Sequence, residues 1–466
     1  MPETIADRIA ALRAGRVPTL LDVFAGCGGL TLGMRDSGFI PVAAAEKDPH
    51  AAAVHAANFH ADEGAFSHHA CPTDVTLTGP AEFAIRNPSL GRHVDLMVGG
   101  PPCQAYARVG RAKLRDVAKN PEAYRVDPRG NLYLRYLEWI SHFQPLALVM
   151  ENVPDALNVG GTNVMAETAE ALEALGYRAR YGLLNAARYG VPQTRERAFL
   201  VALHGDFDVE PSLPIATHGV TLPPGYEGMR ANALKGVRAD DRWFVDVARP
   251  LAGENGLPAA VTVSDALDDL PAIDVAGRAA SKMGEEVRYA SEPRSSYAAA
   301  MRARTTDGVR DHATRYLPRD PAIFERMPGG AEYPEAHRIA VALFGERAAA
   351  AGLREGDAGW DALRRATVPP YDAGKFPNRW WRMGSDMPAR TLLAHLGKDS
   401  YTHIHHREAR VLSVREAARL QGFPDDFVFS VTMNHAFRMI GNAVPPPLAA
   451  KIGRGLLGAM QSKRST

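Results

Sequence analysis

The chain has 466 residues, 46% apolar and 23% charged, with 54 Lys plus Arg against 53 Asp plus Glu. That balance excludes wholesale disorder, collagen-like repeats and a uniformly basic protein, so any nucleic-acid surface is a local patch on one of two or three domains. Three cysteines (Cys27, Cys71 and Cys103) make no disulfide framework, no apolar run reaches membrane length and residues 1–18 lack a secretory apolar stretch, which points to a cytoplasmic protein without a membrane partner.

Leu20 to Phe24 reads as a buried strand running into the Gly26-Cys27-Gly28-Gly29 loop, then a helix from Leu30 to Ser37. Phe39 to Ala45 is a second apolar run ending on Glu46, after which Asp48 caps a helix with Pro49 at its first position. Val94 to Val98 and Leu146 to Met150 are further strands, with a helical spacing over residues 131–143 between them. Thr162 to Leu175 reads as helix and Ala198 to Leu203 as strand. Strands buried on both faces and alternating with helices predict a mostly parallel α/β sheet. After His204 the alternation stops. A proline-rich, irregular second domain is expected, with one helix over the Ala/Arg-rich stretch Ala348 to Arg365. Regular pattern returns at Ser413, where Glu416 completes a capping-box spacing, and in a closing helix from Ala449 to Met460.

Four segments carry chemistry. Glycines between a strand and a helix let backbone approach a ligand, and the helix start offers free N–H groups. Thr31 stands where a dinucleotide fingerprint has its third glycine, while Glu46 is placed to bind ribose hydroxyls; a tight structural turn is the alternative. Gly99-Gly100-Pro101-Pro102-Cys103-Gln104 is a loop that brings a cysteine to the carboxyl edge of the sheet. Between Gln104 and Tyr136 basic residues, Arg108 and Arg111 among them, outnumber acidic ones, a patch that lowers a thiol pKa and attracts phosphates. A small buried cysteine beside a solvated charged face is the plainer reading. Glu151-Asn152-Val153 ends the Leu146–Met150 strand and puts a carboxyl on the same edge as Cys103. In Gln193-Thr194-Arg195-Glu196-Arg197, residues 195 and 197 share a strand face and present two guanidinium groups; a surface ion-pair cluster is the alternative.

Taken together and in this order, these segments resemble the cytosine-C5 DNA methyltransferase family of bacterial restriction-modification systems, over residues 18–204 and 388–450. Asp-Val-Phe-Ala-Gly-x-Gly-Gly, Gly-Gly-Pro-Pro-Cys-Gln, Glu-Asn-Val, Gln-x-Arg-x-Arg and Gly441-Asn442-Ala443-Val444-Pro445 carry the likeness, with Asp127-Pro128-Arg129-Gly130-Asn131 as a further signature. The resemblance implies a Rossmann-like S-adenosylmethionine-dependent sheet and a smaller, irregular target-recognition domain. The corresponding division is a catalytic part over 1–204, a recognition part with its support over 205–429, and a return segment over 430–466.

The same resemblance implies the site. Phe24, Ala25, Gly26, Gly28, Gly29, Leu30, Glu46, Lys47, Asp74, Val75, Pro101, Asn442 and Val444 would hold S-adenosylmethionine and its product S-adenosylhomocysteine, Phe24 against the adenine and Glu46 on the ribose. Cys103 would be the nucleophile, Glu151 would contact cytosine N3 and its amine, and Arg195 with Arg197 would position Cys103 and the base. Gln104, Arg108 and Arg111 would touch DNA. No metal is implied, and Cys27 and Cys71 read as structural. The chemistry fits: a thiolate at C6 makes C5 nucleophilic if N3 receives a proton, so a cysteine and a carboxylic acid are needed, and the base must leave the duplex. One departure is Ala107, where the family usually has serine. The expected partner is double-stranded DNA, bound by a monomer working with a restriction or defence system or alone in the bacterial nucleoid. An RNA cytosine methyltransferase and a catalytically silent DNA-binding protein are the rival readings, to be separated by RNA competition and by S-adenosylmethionine binding.

Overall fold

The computed structural model describes residues 3–462 apart from 92, 103–131, 223–225, 248–255, 275–281 and 306–307, with the side chains of 63–65 and 133 also outside the description. Two compact units are present: Met1–Ala260 with Ala443–Thr466, and Val261–Asn442.

The first unit is built on a sheet of β1 (Thr19–Val23), β2 (Ile40–Ala45), β3 (Leu96–Gly99), β4 (Ala147–Asn152), β5 (Tyr177–Asn185) and β6 (Glu196–His204), in the order β2-β1-β3-β4-β6-β5. Its helices are α1 (Ile5–Arg13), α2 (Gly29–Arg35), α3 (Pro49–Phe59), α4 (Glu63–His69), α5 (Pro80–Arg86), α6 (Leu132–Phe143), α7 (Val164–Ala174) and α8 (Tyr226–Leu234), joined by the last helix, Pro446–Gln461. β1 pairs in parallel with β2 and β3, and β3 with β4. β6 runs antiparallel to both β4 and β5.

Both faces of the sheet are covered, as the unbroken apolar runs require. Leu21, Met97 and Leu148 pack with Phe83 and Trp139. Their neighbours Leu20, Leu96, Val98 and Val149 pack in a second cluster with Leu448 and Ile452. Successive strand residues point to opposite faces, so these clusters are the two sides of one sheet. The last helix lies close on α2: a Cβ on Gly33 would meet the Ala449 Cβ at 2.4 Å, and one on Gly453 would meet Ser37 Oγ at 2.1 Å. Only glycine at both positions allows that approach.

The division between units falls at Ala260 and Asn442 rather than at residues 204 and 429. The reason is the edge strand β5. Tyr181 N donates to Trp243 O and Val245 N to Tyr181 O, both at 2.8 Å, so the chain past residue 240 lies along β5 and covers its open edge.

The second unit has a small antiparallel pair, Glu286–Arg288 with Gly308–Arg310, and a core around Phe324, Tyr333, Ile339 and Trp380. The Trp380 and Tyr401 rings stack with centroids 4.6 Å apart. The single helix expected over Ala348 to Arg365 is two, Tyr333–Ala350 and Trp360–Thr367. Gly352 (φ 64°) and Gly356 (φ 95°) turn the backbone left-handed between them. The helix Val414–Gln421 starts at Ser413 with both capping-box bonds to Glu416 in place. Here burial of charge is met by pairing: Arg419 binds both Asp269 and Asp425, and Arg410 binds Glu416 and Glu408.

Candidate cofactor and catalytic site

The loop after β1 is pinned to the end of β2. Phe24 N donates to Ala45 O at 2.8 Å and Ala25 N to the same oxygen at 3.3 Å. Gly26 N then donates to Glu46 Oε2 at 2.8 Å, while the other oxygen, Oε1, accepts from Asp48 N at 2.7 Å. Two backbone donors thus fix the Glu46 carboxylate and leave lone pairs for further donors. Phe24 is held at φ 65°, costly for a residue with a Cβ, and its half-buried ring lies 6.4 Å from that of Tyr136. Gly26 (φ 56°) has open space where a side chain would be. Gly28 (φ 98°) does not, since a Cβ there would reach Phe59 at 2.3 Å. Cys27 is buried between them, and burial pushes its thiol up to about 12, so it is inert.

Lys47 Nζ lies 2.7 Å from Asp74 Oδ2, and Thr76 donates its backbone N–H and hydroxyl to Asp74 Oδ1. Burial opposes the charge on Asp74, but Lys47 and Thr76 together hold the carboxyl below its usual range. Beneath the loop, Thr31 has a role that its sequence position did not announce. Its hydroxyl donates to the buried Asp22 carboxylate at 2.5 Å and meets His55 Nε2 at 3.0 Å. Burial raises Asp22 to about 7 and, with His60 and His69 nearby, lowers His55 to about 3.

The second half of the site sits where β3, β4 and β6 meet. Glu151, 9% exposed, lies on β4, and its Oε1 is 3.1 Å from Arg197 Nε. Burial pushes the Glu151 carboxyl above its ordinary range, against the pull of Arg197 and then Arg195. Burial likewise lowers both guanidinium groups. Arg195 precedes β6 and Arg197 lies within it, and the charges of both act on Glu151. Gly100 adjoins the acid: a Cβ there would lie 3.2 Å from Glu151 Oε2. Asn152 Nδ2 donates to Pro101 O at 2.9 Å and ties the loop after β3 to the end of β4.

The site thus has a backbone-fixed carboxylate at the end of β2 and an arginine-flanked buried acid three strands away on β4, and the chain that carries it is similar to known proteins. Residues 19–233 and 356–457 match the family model of C-5 cytosine-specific DNA methylases. The chain is also 37% identical, over 95% of both chains, to M.OihORF3336P of Oceanobacillus iheyensis, which carries the name of a type II methyltransferase.

The chain belongs to the C-5 cytosine-specific DNA methylase family.

A second relative of this methylase is the type II methyltransferase M.AgeI of Thalassovita gelatinovora, 30% identical over 92% of this chain and 96% of the other. The fold of the present chain is similar to that of a prophage-encoded E. coli protein described as a putative DNA modification methyltransferase, with a TM-score of 0.60 at 22% identity, covering 96% of this chain and 100% of that one. The activity of this family is methylation of DNA cytosine at C5, and S-adenosylmethionine is the methyl donor that the family implies.

Of the residues expected in the methylase site, Phe24, Ala25, Gly26, Gly28, Gly29, Leu30 and Glu46 lie together at the ends of β1 and β2 and the start of α2. Lys47 and Asp74 are paired with each other, and Val75 is buried. Val444 packs among the apolar residues of the first unit, and Asn442 ends the helix Met433–Asn442 of the second. Cys103, Gln104, Arg108 and Arg111 lie outside the described residues. Sequence reasoning did not find the Asn152–Pro101 bond, although Asn152 belongs to the quoted Glu-Asn-Val motif. Among the described residues His405, Glu408 and Glu416 bring ligating atoms within 4.8 Å, but Arg410 donates to both carboxylates.

Proposed function

We propose that this methylase acts on a cytosine flipped out of a short double-stranded DNA sequence, with Cys103 as the nucleophile and Glu151 as the acid at N3. The observation that carries this reading is the buried Glu151 beside Arg197 and against Gly100, two residues into the loop that continues to Cys103. A carboxyl whose pKa burial raises is a better proton donor to N3 as the Cys103 thiolate adds to C6, which makes C5 nucleophilic. Bound S-adenosylmethionine supplies an electrophilic methyl group. Loss of the C5 proton to a base and cleavage of the C6–S bond then return Cys103 as thiolate, and N3 gives its proton back to Glu151. Arg195 and Arg197 orient the acid.

The first site fits the methyl donor. Glu46, with one backbone bond on each oxygen, can still accept from two ribose hydroxyls, and the space at Gly26 admits a ligand against the backbone. Phe24 offers a ring face for an adenine, and Lys47 with Asp74 offers polar contacts at its edge. Asn442 and Val444 are proposed to complete the pocket, and Gln104, Arg108 and Arg111 to contact DNA. The relatives named as type II methyltransferases favour service in a restriction-modification or phage-defence system. Among the described residues no helix is long and apolar enough to cross a membrane.

Bisulfite sequencing of DNA from cells expressing the wild-type chain, beside cells expressing Cys103→Ser, tests this. Methylcytosine in one recurring motif with wild type alone is expected. Equal methylation with the variant removes Cys103 from its role, and methylcytosine in RNA but not DNA transfers the activity to another substrate.

A further inference from the structure

Arg195 leaves the chain at a tight turn. Arg195 N donates to Gln193 O at 2.9 Å, which closes a three-residue turn around Thr194, and Ala186 N donates to Arg195 O at 2.7 Å. One further bond to this turn comes from outside the motif. The Tyr226 hydroxyl, on α8, donates to Thr194 O and accepts from Asn185 Nδ2, both at 3.0 Å. The Thr194 carbonyl and the Arg195 N–H belong to one planar peptide group, so that plane is held at one end by the turn and at the other by Tyr226. Ala186 holds the next peptide group. Arg195 thus sits between two fixed planes, and its side chain is only 1% exposed, so the guanidinium goes where the backbone aims it.

Helix α8 is a firm base for that hydroxyl. One turn past Tyr226, Arg230 Nη1 donates to Glu196 Oε1. At the far end Asn158 Nδ2 donates to Asn232 O at 3.2 Å and Asn163 Nδ2 to Gly236 O at 3.3 Å. A Cβ on Gly236 would lie 1.7 Å from Leu157 O, so the chain leaving α8 packs backbone to backbone on the segment that follows Glu151-Asn152-Val153. Asn185 is fixed as well, since its Oδ1 accepts from Ala187 N at 3.1 Å. Arg197, two residues beyond Arg195, has its Nε 3.1 Å from Glu151 Oε1. Two residues of extended chain span about 7 Å, a gap that an arginine side chain can close.

We propose that Tyr226 is a positioning residue for Arg195: its hydroxyl fixes the Thr194–Arg195 peptide plane and so the direction in which the buried guanidinium leaves the chain. The inference rests on the reading of Arg195 as a residue that orients the acid. Without the hydroxyl a buried acceptor, Thr194 O, and a buried donor, Asn185 Nδ2, are orphaned together. Each then satisfies the other, because an unpaired buried polar group is the costlier state. The peptide plane turns with them and carries Arg195 off its line.

The test is a cycle of Tyr226→Phe, Arg195→Met and the double variant, in full-length protein with duplex DNA. Melting temperature and S-adenosylmethionine affinity are followed beside turnover. Tyr226→Phe keeps the ring and removes one oxygen. Its kcat should fall by about tenfold to a hundredfold, the cost of a group displaced by about 1 Å, while KM for DNA and cofactor affinity stay within about twofold. In the Arg195→Met chain no guanidinium is left to aim, so adding Tyr226→Phe should change kcat by less than about twofold.

An unchanged kcat in Tyr226→Phe, or factors that simply multiply in the double variant, overturns the proposal and reduces Tyr226 to a packing residue. If Tyr226→Phe does not fold, Asn185→Asp takes its place: a carboxylate is the stronger acceptor, draws the hydroxyl proton away from Thr194 O and enters the same cycle with the same outcomes. Arg195→Met alone separates the readings. Near-wild-type turnover removes the role of Arg195 and this inference with it, whereas a slow Arg195→Met enzyme with multiplying factors removes the inference alone.

Discussion

Arg197 Nε lies 3.1 Å from Glu151 Oε1, and burial, not the arginine, dominates the acid. An isolated ion pair would depress the carboxyl; here it stays raised, which suits a proton donor whose orientation the guanidinium fixes. Glu151→Gln keeps the shape and removes the proton. Methyl transfer should slow by about 10²–10⁴-fold with cofactor affinity unchanged. Single-turnover transfer from labelled S-adenosylmethionine measures it, and a near-wild-type rate would mean that N3 is protonated by another group.

Asn152 acts one residue further on. Its bond to Pro101 O holds the loop before Cys103 against β4. Asn152→Ala should lower turnover by about 10²-fold, since the reacting groups lose register, while cofactor affinity stays within experimental error. Isothermal titration set beside steady-state kinetics separates the two quantities; equal losses in both would show a general loosening instead.

Glu46→Gln tests the cofactor end. Both oxygens accept backbone N–H groups, from Gly26 and Asp48, so an amide must turn its NH₂ toward one of these donors. The variant should bind S-adenosylmethionine about tenfold or more weakly, from one lost charge-assisted bond and one frustrated donor. Fluorescence titration reads this directly, and wild-type affinity would place the ribose elsewhere.

The Asp22–Thr31–His55 chain predicts an unusual pH response. His55, lowered from 6.5 to about 3 in the fold, binds its proton more readily in the unfolded chain, so it costs stability as pH falls through that range. Asp22, raised from 3.8 to about 7, works the other way: its contribution is present at acid pH and is lost as pH rises toward about 7. The two slopes oppose each other in wild type. His55→Gln leaves only the Asp22 slope, so the melting temperature of the variant relative to wild type should climb as pH falls from about 6 to about 4. A constant difference across that range would contradict the linkage.

Much of the catalytic half was legible because its physics is local. A buried strand that stops at glycines needs left-handed backbone, and Gly26 and Gly28 supply it. Asp48 caps its helix because Pro49 follows, and Ser413 because Glu416 does. Strand β5 was not legible. Tyr-Arg-Ala-Arg-Tyr places half-buried arginines on alternate positions, and beyond its pairing with β6 its outer edge is met at Tyr181 by residues 243–245, more than fifty positions away. The same distance hid the unit boundary at Ala260. Tyr226 and Arg230 were invisible for a related reason: they reach the Gln-x-Arg-x-Arg segment only in three dimensions, from a stretch whose own sequence has no motif.

The last helix has a consequence for how the protein is made. Its glycine-lined seat on α2 closes one face of the cofactor sheet, yet residues 446–461 leave the ribosome only after the whole second unit. Until then the cluster of Leu20, Leu96 and Val98, which already includes Ile9 and Leu12 of α1 and Leu30 and Met34 of α2, lacks Leu448, Ile452 and Leu456. A polypeptide that has not yet added this helix leaves the apolar seat of Leu448 and Ile452 open, the kind of surface that chaperones and proteases engage. Closing the first unit therefore waits on a segment that follows the whole second unit in sequence.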